Sequence, residues 1–294
     1  MALLNTDQTP AAFWITNPDN TFINNVASGA RYGFWYKDES AVTGVMAADG
    51  LGTGVCPRHA RVRKFENNIA HSNSHYGLRI YHFLAPRVEP CNSNSRPRTG
   101  TFKGLLSYRN GKNGVTVTAQ SHLKFVQMQV VENKQAGFEM ASAQGGFIGG
   151  GWGANIVQDV VLVAGSSGHG IFTAADHGLT FDRITFVNYD SGSTYAVRGC
   201  AKCEGFTPRG GGWTTRFKRI AYDTSPNRVM WRWSHEGVHE DTDGTLVPDA
   251  PGGKRLSSLV PTNGLLPEFS DCATVTGYQG RVCNGMRFRR FAVN

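Results

Sequence analysis

Seven six-residue segments, six of them led by phenylalanine, set the register of this chain. They are FINNVA from Phe22, FENNIA from Phe65, FKGLLS from Phe102, FVQMQV from Phe125, VQDVVL from Val157, FDRITF from Phe181 and FKRIAY from Phe217. Three places after the lead the column reads Asn25, Asn68, Leu105, Met128, Val160, Ile184 and Ile220. Five places after it the column reads Ala27, Ala70, Ser107, Val130, Leu162, Phe186 and Tyr222. Both columns are mainly apolar. The column two places after the lead (Asn24, Asn67, Gly104, Gln127, Asp159, Arg183, Arg219) has a solvent-facing composition. Alternation of this kind means short strands with one buried face.

The intervals from Phe102 to Phe125 and from Val157 to Phe181 are 23 and 24 residues, the length of one solenoid turn; the longer intervals carry insertions. A strand repeat this short cannot bury its apolar face alone, so successive turns must stack and share a core. The expected fold is all-β: a single-stranded parallel β-helix, right-handed because parallel crossovers nearly always are, with loop insertions and a C-terminal closing segment. Residues 10–230 make about seven rungs, and residues 231–294 close the solenoid within the same domain. Stacking sets the phenylalanines above one another as an aromatic ladder. It also starts an asparagine ladder at Asn25 and Asn68, whose amides bond from rung to rung. Thirty-six glycines suit a fold with frequent tight corners.

The charge balance of 30 Lys+Arg against 22 Asp+Glu, formally +8, favours acidic partners. The excess is spread along the chain without a basic run of the nucleic-acid type, so nucleic acid is not an expected partner. No stretch approaches the roughly 18 apolar residues of a membrane span. Six cysteines fall into neighbouring pairs, Cys56 with Cys91, Cys200 with Cys203, and Cys272 with Cys283, which favours disulfides and an oxidising, extracellular compartment. The Cys200-x-x-Cys203 spacing also fits half a zinc site or a redox motif, although no second C-x-x-C exists. Repeat-like material at Phe13 follows the start almost at once, so the residues are expected to be part of a larger multidomain protein.

Several motifs bear on chemistry. His235-Glu236-Gly237-Val238-His239 spells the zinc pattern H-E-x-x-H, but that chemistry needs a helix and the flanking residues read as extended. Asp241-Thr242-Asp243-Gly244-Thr245 matches a phosphatase signature without the buried strand ahead of it. Its oxygens make calcium the one ion suggested, at Asp241 and Asp243, against the plainer reading of a turn held by aspartates. The glycine-rich run Gly145–Gly153 lacks the lysine of a phosphate loop and reads as a corner. Around the second rung stand His71, His75, Arg79 and His82, with Tyr76 and Tyr81 beside them. Imidazole near guanidinium could abstract a proton and neutralise a uronic acid. The outward acids offer only Asp159, with Asp182 one column over, against the carboxylate pair that hydrolysis usually employs.

The runs FWITNPDNTFINNVASGARYGFWY (13–36), NNIAHSNSHYGLRIY (67–81), GGWTTRFKRIAY (211–222) and HEGVHEDTDGTL (235–246) resemble the β-helix region of fibrocystin-like proteins. That region is shared with fibrocystin-L and, more distantly, with the cell-migration-inducing hyaluronan-binding protein and the cell-surface hyaluronidase. The resemblance implies a secreted or membrane-anchored ectodomain; no catalytic set can be matched residue by residue. Two readings follow. One is an extracellular module binding glycan or protein through His71, His75, Tyr76, Arg79, Tyr81 and His82 without catalysis. The other is a hyaluronidase-like or lyase-like enzyme on acidic polysaccharide, with His71, His75, Arg79 and Asp159 as candidates. Convergence of those four on one groove favours the enzyme, and scatter favours the binding module.

Overall fold

The computed structural model describes residues 8–118, 120–141, 155–173, 178–199, 214–231, 237–250, 256–262 and 272–286. Cys200, Cys203, His235, Glu236 and the glycine-rich run 145–153 lie outside them. The described chain is a parallel β-helix built from two sheets. One has eight strands: Ala11–Ile15, Tyr32–Asp38, Tyr76–His82, Asn113–Val117, Ala136–Met140, His169–Phe172, Val197–Arg198 and Val229–Met230. The other has fourteen, and its long members Leu123–Val131, Asn155–Val163, Leu179–Val187 and Thr214–Asp223 stack in parallel. A four-residue helix, Val45–Ala48, sits in the first insertion.

The lead residues stack as the repeat predicts: Phe22 pairs Phe65, Phe102 pairs Phe125, and Phe125, Val157, Phe181 and Phe217 follow in successive register. Phe65, Phe102, Phe125, Phe181 and Phe217 are at most 1% exposed. A lead residue and the residue three places on cannot both face the core in an unbroken strand, because the side-chain period is two. The column between them supplies the break. Asn24, Asn67, Gly104, Gln127, Asp159, Arg183 and Arg219 all take positive φ, from 52 to 69°. This left-handed step costs a non-glycine residue about 1–2 kcal/mol, and from the fourth rung on burial of a core side chain on either side of it offsets that cost. Sequence reading recognised the column as outward but not as a kink.

The asparagine ladder is present where expected and longer elsewhere. Asn68 Oδ1 accepts from Asn25 N at 2.9 Å and from Asn25 Nδ2 at 3.1 Å. A second ladder runs eight places after the lead, where Asn73 Nδ2 donates to Asn110 Oδ1 at 3.0 Å and Asn110 Nδ2 to Asn133 Oδ1 at 2.9 Å. These corner amides are buried, and the ladder, with backbone carbonyls such as Ala27 O for Asn73 and Ser107 O for Asn133, satisfies their polar groups.

Glycine forms a column of its own. A Cβ at Gly33 would lie 2.5 Å from Gly77 O, at Gly77 2.7 Å from Gly114 O, at Gly114 2.9 Å from Gly137 O, at Gly137 2.8 Å from Gly170 O, and at Gly170 2.4 Å from Ala196 O. Five rungs therefore approach so closely at this corner that no side chain fits. Gly137→Ala is expected to lower stability by about 1–3 kcal/mol through overpacking, read from the urea midpoint, whereas Gly192→Ala, with nothing within 4 Å, stays near wild type.

The parallel stack ends at the aspartate motif. Asp241 occupies the lead column, in register with Phe217, and is fully buried. Its carboxylate accepts from the backbone N–H groups of Gly244, Thr245 and Val247 at 2.9, 3.1 and 3.0 Å, while burial pushes the carboxyl up to about 6. Asp243 accepts from Arg219 N at 2.7 Å and from Thr245 Oγ1 at 2.6 Å. Both aspartates thus hold the turn at the end of the helical stack. From there the chain runs antiparallel through Val238–Asp241, Ser257–Val260 and Arg281–Asn284. Cys272 and Cys283 face each other across neighbouring strands and are bonded. Cys56 is bonded to Cys91, tying the first insertion to the second.

Candidate functional site

The eight-stranded sheet carries one side chain per rung along a single outward column: Trp14, Trp35, Arg79, Thr116, Glu139, Phe172, Arg198 and Met230 in successive register. Its first three rungs are aromatic and cationic. Trp14 stacks on Trp35 with centroids 5.8 Å apart, and Tyr32 stacks on Tyr76 at 5.6 Å, because equivalent residues on adjacent parallel strands lie one strand spacing apart. Into this group comes Arg79. Its guanidinium lies 4.6 Å from the Tyr32 ring centroid, 5.1 Å from Trp35, 5.5 Å from Tyr76 and 4.4 Å from Tyr81. Each such cation–π contact is worth about 0.5–2 kcal/mol, more where water is excluded.

Beside this box, His75 packs edge-on against Tyr32 and Tyr76, and burial, reinforced by Lys112, Arg31 and Arg79, lowers its pKa. At the other end of the strand His82 Nε2 lies 3.1 Å from Lys37 Nζ, Lys37 pairs with Glu39, and burial followed by the Lys37 charge lowers the His82 pKa. Both imidazoles are therefore held toward the neutral form. Tyr76 is pushed up by burial and by the Glu139 carboxylate. Further along the face Asn113 Nδ2 donates to Glu139 at 2.7 Å, and Arg198 lies 4.8 Å from the Phe172 ring.

The structure brings together His75, Tyr76, Arg79, Tyr81 and His82 on this strand and its approach. It does not bring His71 there. His71 belongs to the other sheet, in register with Tyr108 and stacked on its ring at 4.7 Å. Asp159 is also on the other sheet, held by the Arg183 guanidinium, and Asp182 is buried against Arg219 at 2.6 Å and Lys218 at 3.5 Å, so these acids are ion-paired rather than poised as a catalytic couple. Of the four proposed catalytic residues, His71 and Asp159 stand on one sheet, Arg79 on the other, and His75 just ahead of the Arg79 strand. His239 lies on an extended strand, buried, with its ring stacked on Trp231 at 4.3 Å and edge-on to Phe217 at 5.3 Å; burial lowers its pKa to about 3. Among the described residues no three His, Cys, Asp or Glu side chains cluster as metal ligands, and no helix is long and apolar enough to cross a membrane.

Trp14, Arg31, Tyr32 and Trp35 were not singled out from sequence. The signal was there, since aligning Gly33 with Gly77 puts Trp35 directly beside Arg79.

A family model described as CEMIP beta-helix matches residues 2–78. Human fibrocystin-L is 29% identical over 313 residues, covering 100% of this chain and 7% of that protein, and mouse fibrocystin-L is 30% identical over the same extent. Human cell surface hyaluronidase CEMIP2 is 30% identical over 129 residues, covering 36% of this chain and 9% of that protein. The chain thus spans a small fraction of the curated relatives it matches.

Proposed function

We propose, from the premise that this chain is a β-helix segment homologous along its whole length to part of fibrocystin-L, that it is an extracellular, non-catalytic binding module whose ligand face is the outer surface of the eight-stranded sheet. The observation that carries this reading is the group of four rings around Arg79, continued by the stacked Trp14, which is 64% exposed. Tryptophan, tyrosine and arginine are the residues that dominate binding energy at interfaces. The scatter of His71 and Asp159 away from Arg79 supports binding over catalysis, since general acid–base work requires the groups within hydrogen-bond reach of one reacting centre. The disulfides suit an oxidising compartment.

The test is to incubate the purified chain with hyaluronan and related uronic-acid polymers, with and without calcium, and follow polymer size beside retention on a glycan array. Polymer length is expected to stay unchanged while the chain is retained on the array. Trp14→Ala, at an exposed position, is expected to weaken that retention about fivefold or more. Shortened polymers would sink the non-catalytic reading.

A further inference from the structure

The Arg79 group contains three buried donors that meet no acceptor. Arg31 Nε, Trp35 Nε1 and Arg79 Nε are each screened from solvent and have no hydrogen-bond partner among the described residues. All three belong to side chains gathered on one ring: the Arg31 guanidinium lies 5.7 Å and the Arg79 guanidinium 4.6 Å from the Tyr32 centroid, and the Trp35 ring lies 4.9 Å from it. Trp35 is 6% and Tyr32 4% exposed, and the half-buried Arg31 and Arg79 side chains pack against them. Neither arginine has a carboxylate partner among the described residues; Arg31 spends one Nη on the Gln8 carbonyl. Buried polar groups are normally paired, and a cluster that is all donors and twice cationic lacks one kind of group, an anionic acceptor.

Ring orientation narrows what bears that acceptor. Trp14 with Trp35 and Tyr32 with Tyr76 are stacked within 10° and 14° of parallel, so each pair covers its own facing surfaces. Trp14, on the edge strand of this sheet, is 64% exposed. It lies two strands from Arg79 in the same column, about 10 Å at the usual strand spacing. An indole beside an anion site suits a sugar ring next to an acidic one.

Resting on the binding reading above, we infer that Arg31, Trp35 and Arg79 form an oxyanion subsite for a carboxylate or sulfate carried on a polysaccharide, with Trp14 as the neighbouring stacking platform. Glu139, which faces Tyr76 from two strands away, sets the far limit of the subsite by repelling a second anion.

The experiment measures equilibrium retention of the whole chain on immobilised hyaluronan (carboxylate only), heparin (sulfate-rich), dextran (neutral) and polyglutamate at constant ionic strength. Variants are Arg31→Gln, Arg79→Gln and the shape-preserving Trp35→Phe and Arg79→Lys, each with its thermal transition recorded. Wild type is expected to be retained on hyaluronan or heparin, and which of the two identifies the oxyanion. Arg79→Gln is expected to weaken that retention about tenfold or more, and Arg31→Gln and Trp35→Phe severalfold. Arg79→Lys, which keeps the charge but lacks the Nε–H and the fork, does not restore it. Acid-glycan retention unchanged in Trp35→Phe and Arg79→Lys would overturn the subsite, because only diffuse charge would then be at work. Equal retention on polyglutamate with the same variant profile would overturn the polysaccharide assignment. Binding to dextran alone, insensitive to these variants, would sink the inference and leave the binding module standing; retention on none of the four would sink both.

Discussion

Phe181→Ala is expected to lower unfolding free energy by about 3–5 kcal/mol. The side chain is fully buried, stacked on Phe217 with centroids 5.2 Å apart, and in register with Val157 on its other side. Neither neighbour can collapse into the space. Each is fixed by its own strand in a parallel ladder, so the cavity remains and its lining loses contact on three sides. Because each rung is stabilised mainly by its neighbours, the loss is shared across the interfaces on both sides of the rung. Phe181→Leu, which keeps most of the volume, should cost under about 1.5 kcal/mol. Urea denaturation of both variants measures the difference. A Phe181→Ala cost near that of Phe181→Leu would show that the phenylalanine column is not the spine of the core.

Asn110→Ala is the second large effect, on the order of 3 kcal/mol, from a buried backbone donor that loses its acceptor at about 1–3 kcal/mol together with the loss of the side-chain bonds in the ladder. Asn110 Oδ1 receives both Asn73 N at 3.2 Å and Asn73 Nδ2 at 3.0 Å, and Asn110 Nδ2 reaches Ser107 Oγ at 3.1 Å and Asn133 Oδ1 at 2.9 Å. An alanine deletes the middle of the ladder and leaves the Asn73 backbone N–H without its acceptor, with Asn73 Nδ2 retaining only Ala27 O at 3.2 Å, in a buried corner. Denaturation gives the magnitude, and faster hydrogen exchange at the Asn73 N–H gives the location. By contrast, exposed Asn94→Ala, in the loop before the third rung, should stay within about 0.5 kcal/mol. If the two asparagines behaved alike, the corner ladder would carry no stability.

The aromatic register was legible because it is local: six residues from Phe181 to Phe186 state which side chains face inward, and that statement survives whatever the insertions do. The Asn25–Asn68 contact was legible for the same reason, since the two residues hold equal places in twin segments although 43 residues separate them. The corner ladder of Asn73, Asn110 and Asn133 was harder to see, because the residues eight places after the lead fall beyond the strand, where the alternation stops. The Asp241 turn was legible as a turn. Its place in the phenylalanine column was not, because nothing in the aspartate motif says that it ends a stack.

The candidate site divides along the same line. His71 and His75 are four residues apart and looked like one constellation, yet a left-handed step at Ser72, with φ of 52°, carries the chain round a corner between them. His71 ends on one sheet and His75 just ahead of a strand of the other. Trp35 and Arg79 are far apart in sequence and side by side in space. Periodicity alone therefore determined the fold class, the core column and the stacking partners within it, because side-chain alternation and the need to bury one face act residue by residue. Only the tertiary structure decided which outward residues become neighbours. That depends on the left-handed corner residues and on the register between rungs, where a slip of one residue exchanges the buried and exposed faces of a strand.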